Sequence, residues 1–337
     1  MLHRCVLLLS LLLLAGQALA RSFEHILHRW QNPSSTDIFV VAHRAAFMEN
    51  RQIILPENSL PAIQYAIALG VDMVELDIRA SRDGHFVLIH DATVDRTTNG
   101  SGEVAALTLA QLKKLRLIDA VSGAPSQHPV PTLKEVYAAV KGRIMVNLDP
   151  KLAVSELGRA LQIAADMGVA GQVALKGTAD TPEQLAGIET MLATLPFAAG
   201  FMPMHWDKNL SDLSAVAASF AALRPQAAEM VVNISRGPGK RLIQDGGLLF
   251  SAQARALAKR YDVHLWINTL YIDPLAHPLN RMDRLMWNGG RHDVLGLTYP
   301  ERVFGFWVEQ GASVIQTDEP KFLLDYLARK GLRSEGK

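Results

Sequence analysis

Cysteine is almost missing from this chain: Cys5 is the single one among 337 residues. That excludes a disulfide framework and a cysteine-built zinc module. Net charge is nearly missing too. With 34 basic and 33 acidic side chains the formal charge is +1, which excludes nucleic-acid binding driven by bulk electrostatics. No heptad array, charged tail or low-complexity tract is present, so neither coiled coil nor disorder fits. Long apolar runs are also lacking. The leucine-rich stretch 5–15, broken by Ser10, falls short of the ~20 residues that span a bilayer, so no stable membrane anchor is expected.

That short run has another use. Arg4 precedes it, and Ala18-Leu19-Ala20 follows as a small-x-small cleavage site. Residues 1–20 therefore read as a secretory signal peptide, with 21–337 as one mature domain, secreted or periplasmic. Cleavage removes Cys5 and leaves a chain indifferent to an oxidising compartment.

The rest is 49% hydrophobic and 20% charged, an ordinary globular composition. Eight short apolar or β-branched runs are expected as strands: 38–42, 71–77, 144–149, 172–176, 199–204, 230–234, 263–268 and 313–317. Helical patterns lie between and after them, at 59–69, 109–117, 132–140, 154–167, 181–193, 210–222, 250–260, 302–310 and 321–330. Thr132 with Glu135 fits a capping box, Thr181-Pro182 a helix start, and Gly70 and Gly168 helix stops. Strands alternating with helices imply a parallel sheet, and eight of them an α/β (β/α)₈ TIM barrel. Two stretches interrupt the pattern. Residues 81–131 hold an extra short strand, 86–89. Residues 271–300 have no helical period and are expected to govern substrate choice, with Tyr271, Met282, Met286 and Trp287 able to contact the alcohol half of a diester; Arg281, Arg284 and Arg291 also lie there.

Chemistry in such a barrel sits at the carboxyl ends of the strands. Polar residues gather there: His43-Arg44, Glu75-Leu76-Asp77, His90-Asp91, Asn147-Leu148-Asp149-Pro150-Lys151, Trp266 and Asn268, and Gln316-Thr317-Asp318. Glu75 and Asp77, two apart, share one face of their strand. Such a set is costly as a plain structural core, although Glu75 and Asp77 could also pair with Arg44 and Lys151. The other histidines lack matching partners and read as surface or packing residues, His205 included.

At these residues the sequence resembles the glycerophosphodiester phosphodiesterase family. The resemblance runs through Ala42-His43-Arg44, Pro56-Glu57-Asn58-Ser59, Glu75-Leu76-Asp77, Asp83-Gly84, His90-Asp91, Arg96-Thr97-Thr98-Asn99-Gly100-Ser101-Gly102, Pro131-Thr132-Leu133-Lys134-Glu135-Val136, Asn147 to Lys151, and Thr317-Asp318-Glu319-Pro320. It is strong over 38–151 and only architectural over 152–260. It implies a (β/α)₈ barrel that hydrolyses glycerophosphodiesters to glycerol 3-phosphate and an alcohol with a divalent cation, Mg²⁺ or Ca²⁺. Carried over by position, it makes His43 and His90 the acid/base pair, Glu75, Asp77 and Asp149 the metal ligands, and Arg44 and Lys151 phosphate contacts. Trp266 is expected in the substrate pocket. Two departures stand out: Ala45 replaces the family's glycine after His-Arg, and Asp149 replaces a longer glutamate. Three functions follow for the partner, a small phosphodiester. One is the hydrolase. Another is a lysophospholipase-D-like enzyme, with Phe197, Phe201, Met202, Trp206 and the 271–300 segment lining an apolar groove. The third is a non-catalytic binding protein on the same barrel.

Overall fold

The computed structural model describes residues 22–33, 36–119, 121–233, 243–270 and 288–334. The expected signal peptide and most of the 271–300 stretch, with Tyr271, Arg281, Met282, Arg284, Met286 and Trp287, lie outside the described residues. Eight parallel strands form the frame: β1 (Phe39–Ala42), β2 (Met73–Ala80), β3 (Met145–Pro150), β4 (Val173–Thr178), β5 (Phe201–Trp206), β6 (Ala227–Val231), β7 (His264–Asn268) and β8 (Val314–Thr317). Each pairs with the next, and β1 pairs with both β8 and β2, so the sheet closes into a TIM barrel. Helices lie between the strands. Leu60–Leu69 starts on Ser59, whose hydroxyl accepts from Ala62 N, and stops at Gly70, where φ of 77° suits a residue without Cβ. Leu133–Val140 carries the Thr132/Glu135 capping box, and Pro182–Ala193 a Thr181/Gln184 box.

Alternation along the strands sorts the side chains. Val74, Leu76, Ile78, Val146 and Leu148 fill the layer between barrel and helices. Met73 and Met145, of opposite parity, lie inside with Phe39, Val41, Ala174, Met202, Ala227, Trp266 and Val314. Glu75 and Asp77 follow Met73 in steps of two and therefore also point inward, as Asn147 and Asp149 follow Met145. Parallel register sets Glu75 beside Asn147 and Asp77 beside Asp149.

The barrel floor is closed by a helix that the strand–helix pattern did not announce, Phe23–Trp30, whose Ile26 and Trp30 join the interior cluster. Asp72 fastens it. Its carboxylate takes Arg29 Nη1 at 2.7 Å, the Arg333 guanidinium and the backbone N–H of Val40 at 2.8 Å.

Other expectations shift. The helix expected over 109–117 ends at Leu112, because Arg116–Ile118 pairs with Pro125–Pro129 and Leu117 bridges to Thr98. Leu117 then fills a small separate core with Val87, Ile89, Val94 and Val104. The sixth strand begins at Ala227 rather than 230, so that it includes Glu229. The helix expected over 302–310 opens as a wide π turn, Glu301–Gly305, before Phe306–Glu309.

His264 is a further titratable group of the floor. It stacks on Trp30, and its ring nitrogens lie 2.8 Å from Ser313 Oγ and 3.1 Å from Arg29 O. Burial, with a smaller push from the Arg29 charge, lowers its pKa from 6.5 to about 4. Below pH 6.5 the unfolded chain then binds the extra proton, so stability is complete above that pH and falls toward pH 4. The loss attributable to this residue is about 3 kcal/mol. Urea midpoints measured from pH 7 to pH 4 should fall more steeply for wild type than for His264→Gln, and parallel slopes would remove His264 from this role.

Candidate active site

The inward residues of β2 and β3 end the barrel in acid. Glu75, Asp77 and Asp149 each present a carboxylate oxygen within 4.8 Å of the others. Oxygen donors at that separation fit around one hard cation at the 2.0–2.6 Å bond lengths of Mg²⁺ or Ca²⁺.

The burial of this cluster is balanced residue by residue. Burial pushes Asp77 up, but Lys151 and Arg44 together hold it well below the usual carboxylate range. Lys151 Nζ lies 3.1 Å from Asp77 Oδ1 and 3.0 Å from Asp149 Oδ1. Burial is likewise outweighed at Asp149, where Lys176 and Lys151 lower the pKa. Glu75 goes the other way: burial, then the Asp77 charge, raise it over the opposing pull of Lys176. Its Oε2 accepts from the backbone N–H of Arg44 at 3.1 Å.

The Pro56-Glu57-Asn58-Ser59 segment supplies three supports in three consecutive residues. Glu57 takes Arg44 Nη1 at 3.0 Å and both terminal nitrogens of Arg96. The Asn58 amide brackets Asp77, donating to Oδ2 at 2.9 Å and accepting from its backbone N–H at 3.0 Å. Ser59 caps the next helix.

Each proposed acid/base histidine has its own aspartate. His43 Nδ1 donates to Asp318 Oδ1 at 2.7 Å, and its Nε2 faces Glu75 Oε2 at 3.9 Å. Burial lowers the His43 pKa, but the charge and hydrogen bond of Asp318 carry it above 6.5. Asp318 is placed in turn by Asp293, which accepts from its backbone N–H at 2.8 Å. His90 Nδ1 donates to Asp91 Oδ1 at 2.7 Å, and Arg96 holds Asp91 from the far side. Arg96 thus links the His90 side to Glu57 and Arg44. Asp318, Asn58 and Arg96 stood in the motifs, but no role followed for them from one sequence.

Two expectations need correction. Trp266 lines no open pocket: it is 0% exposed in the barrel interior, with Nε1 donating to Asn268 Oδ1 at 2.8 Å. Phe201 and Met202 are buried core and Phe197 packs against it, so these three do not line the expected apolar groove, whose 271–287 part lies outside the described residues. Arg291, the described arginine of the 271–300 stretch, donates to Ile243 O and stacks over the Phe306 ring. His205 stays structural, as expected. It bridges Asp180 Oδ1 and Ser219 Oγ, a serine–histidine–aspartate set sealed inside the fold.

Residues 43–184 match the sequence model of the glycerophosphoryl diester phosphodiesterase family. Over this stretch, rather less than half of its length, the chain is similar to that family. Residues 242–327 also match a model described as a domain of unknown function. The family enzyme of Caldanaerobacter subterraneus, a glycerophosphodiester phosphodiesterase, is 39% identical over 116 residues, which is 34% of this chain and 46% of the relative. Glycerophosphodiester phosphodiesterase 1 of Mus musculus is 43% identical over 118 residues, 34% of each chain. The chain spans about half the length, or less, of the curated relatives it matches. Among solved structures, a family member from Parabacteroides distasonis superposes with a TM-score of 0.65 at 18% identity, covering 93% of this chain and 94% of that one. A phosphodiesterase of Oleispira antarctica, solved with sn-glycerol-3-phosphate, gives 0.56 at 19% identity, covering 88% and 100%. At these identities the structures share the fold.

One family departure is visible in the backbone. Arg44 and Ala45 both adopt positive φ, 47° and 66°, where a Cβ costs about 1–2 kcal/mol. The turn is kept because Ala45 N donates to Glu75 O at 3.1 Å. Ala45→Gly should therefore raise stability by up to about 1 kcal/mol after its unfolded-state entropy is counted. A thermal midpoint at or below wild type would show that the buried Ala45 methyl outweighs the backbone strain.

Proposed function

We propose that the protein hydrolyses glycerophosphodiesters to glycerol 3-phosphate and an alcohol, with two histidines moving the protons beside a bound divalent cation. The observation that carries this reading is the arrangement of two histidines, each fixed at Nδ1 by its own aspartate, around one cluster of three strand-end carboxylates.

Glu75, Asp77 and Asp149 are the residues that would hold the cation. Bound there, Mg²⁺ or Ca²⁺ would supply positive charge to neutralise the phosphodiester and polarise its P–O bonds. The remaining work falls to side chains. Anchoring at Nδ1 leaves Nε2 of each histidine to exchange a proton. One histidine takes the proton of the attacking oxygen, that of water or of the substrate's own 2-hydroxyl, as the new P–O bond forms; in the second case water then opens the cyclic phosphate to glycerol 3-phosphate. The other gives a proton to the departing alkoxide as the old bond breaks. Arg44 places a permanently charged guanidinium beside Asp77. Lys151, 24% exposed at its side chain, is the ammonium with room to turn toward a phosphate oxygen.

Release of choline and glycerol 3-phosphate from glycerophosphocholine tests the reading directly. Activity should vanish in EDTA and return with Mg²⁺ or Ca²⁺; full turnover in chelator would remove the cation from the scheme. His43→Ala and His90→Ala should each lower kcat by ~10²-fold or more, the usual scale of one acid/base role. Wild-type turnover in a folded variant would strike that histidine from the mechanism.

A further inference from the structure

Lys176 has no part in the scheme above, yet it reaches the same carboxylates. It belongs to β4 and faces the barrel interior, with a side chain only 4% exposed. Its Nζ lies 3.1 Å from Asp149 Oδ2, 3.1 Å from Glu229 Oε2 and 3.8 Å from Glu75 Oε1. An ammonium so deeply buried is tolerated only if paired, and here the partners are two of the three cation-cluster residues and one outside it.

The share taken from Asp149 is large. One of its oxygens carries Lys176 and the other Lys151. Lys151 can swing toward solvent, whereas Lys176 is enclosed. Glu229 restrains it from the opposite side. Glu229 is itself fixed, because its Oε1 accepts from Asn268 Nδ2 at 2.7 Å, and Asn268 Oδ1 accepts from Trp266 Nε1. A polar chain thus runs from Trp266 on β7 through Asn268, Glu229 on β6 and Lys176 on β4 to Asp149 on β3.

We propose that Lys176 is a built-in cation that competes with the divalent ion for Asp149, and that Glu229 sets the strength of this competition by drawing the ammonium away. The inference rests on the reading of Glu75, Asp77 and Asp149 as cation ligands. It has two consequences. The carboxylates are neutralised without an ion, so the barrel keeps its stability in chelator. The ion meets a nearby positive charge, at a range where charges interact strongly in a partly buried site, so it binds weakly.

Calorimetric titration of Mg²⁺ and Ca²⁺ into the chelator-stripped full-length protein tests this, with thermal melting in EDTA and in excess ion as a second readout. The variants are Lys176→Met, Glu229→Gln and the double variant, which removes the ammonium without stranding a buried glutamate. The double variant should bind either ion at least ~10-fold more tightly than wild type and should melt lower in EDTA than in excess ion. Wild type should melt at nearly the same temperature in both. Glu229→Gln alone is a near-isosteric change that keeps the fold, and it should bind several-fold more weakly, because Lys176 then leans wholly on Asp149. A double variant no tighter than wild type, or a tighter Glu229→Gln, overturns the proposal. Binding by none of the four proteins overturns it together with the cation ligands. If the affinities move as expected while no diester is cleaved, Lys176 keeps its role and the hydrolase reading falls.

Discussion

A carboxylate withdrawn from water has to meet a cation or a set of donors, and the upper half of this barrel is organised by that requirement. Register of β2 against β3 brings Glu75, Asp77 and Asp149 inward together. Once they are there, the neighbouring positions are constrained. Asn58 must bracket Asp77, Arg44 must sit where Glu57 can hold it, and Lys151 and Lys176 must divide Asp149 between them. Even the left-handed turn at Arg44 and Ala45 serves this end, since it aims the Arg44 N–H at Glu75. Charges that repel one another are thereby kept within reach of a single small ligand.

Much of this was legible in the sequence, for a simple reason. Parallel strands advertise themselves as short β-branched runs, and acidic residues two apart at the end of such a run can only share a face. Glu75 and Asp77 were visible in that way, and the short motifs around His43, His90 and Asp149 added the rest of the site. Charge inside a strand is less legible. Glu229 interrupts the apolar run of β6, so the run alone marks the strand only from residue 230, whereas the strand begins at Ala227. Lys176 closes an apolar run, and one lysine at a strand end is ordinary until its partners are known. Those partners, Asp149 and Glu229, lie on different strands, and pairing across a barrel interior leaves no trace in local spacing. Trp266 failed for the complementary reason. A tryptophan near a strand's carboxyl end suggests a pocket, but the barrel interior below the polar layer needs bulk, and this ring supplies it.

The floor was equally hidden. Phe23–Trp30 has a strongly amphipathic pattern, yet its role depends on Asp72, Arg333 and His264, which are distant in sequence. Removing the Asp72 carboxylate would strand two buried guanidinium groups at once, so the helix, the strand entry and the final described residues stand or fall together.

The same clamp fixes where the described chain enters and leaves the barrel. Arg333 meets Asp72, and the backbone N–H of Ser334 donates to Asp37 at 3.1 Å, immediately before β1. The first helix is seated on this face as well. Both ends are therefore gathered at the pole opposite the carboxylates and histidines. A tether, a fusion partner or an immobilising surface joined at either end would hold the molecule by its base, with the reactive rim turned outward to whatever diffuses past.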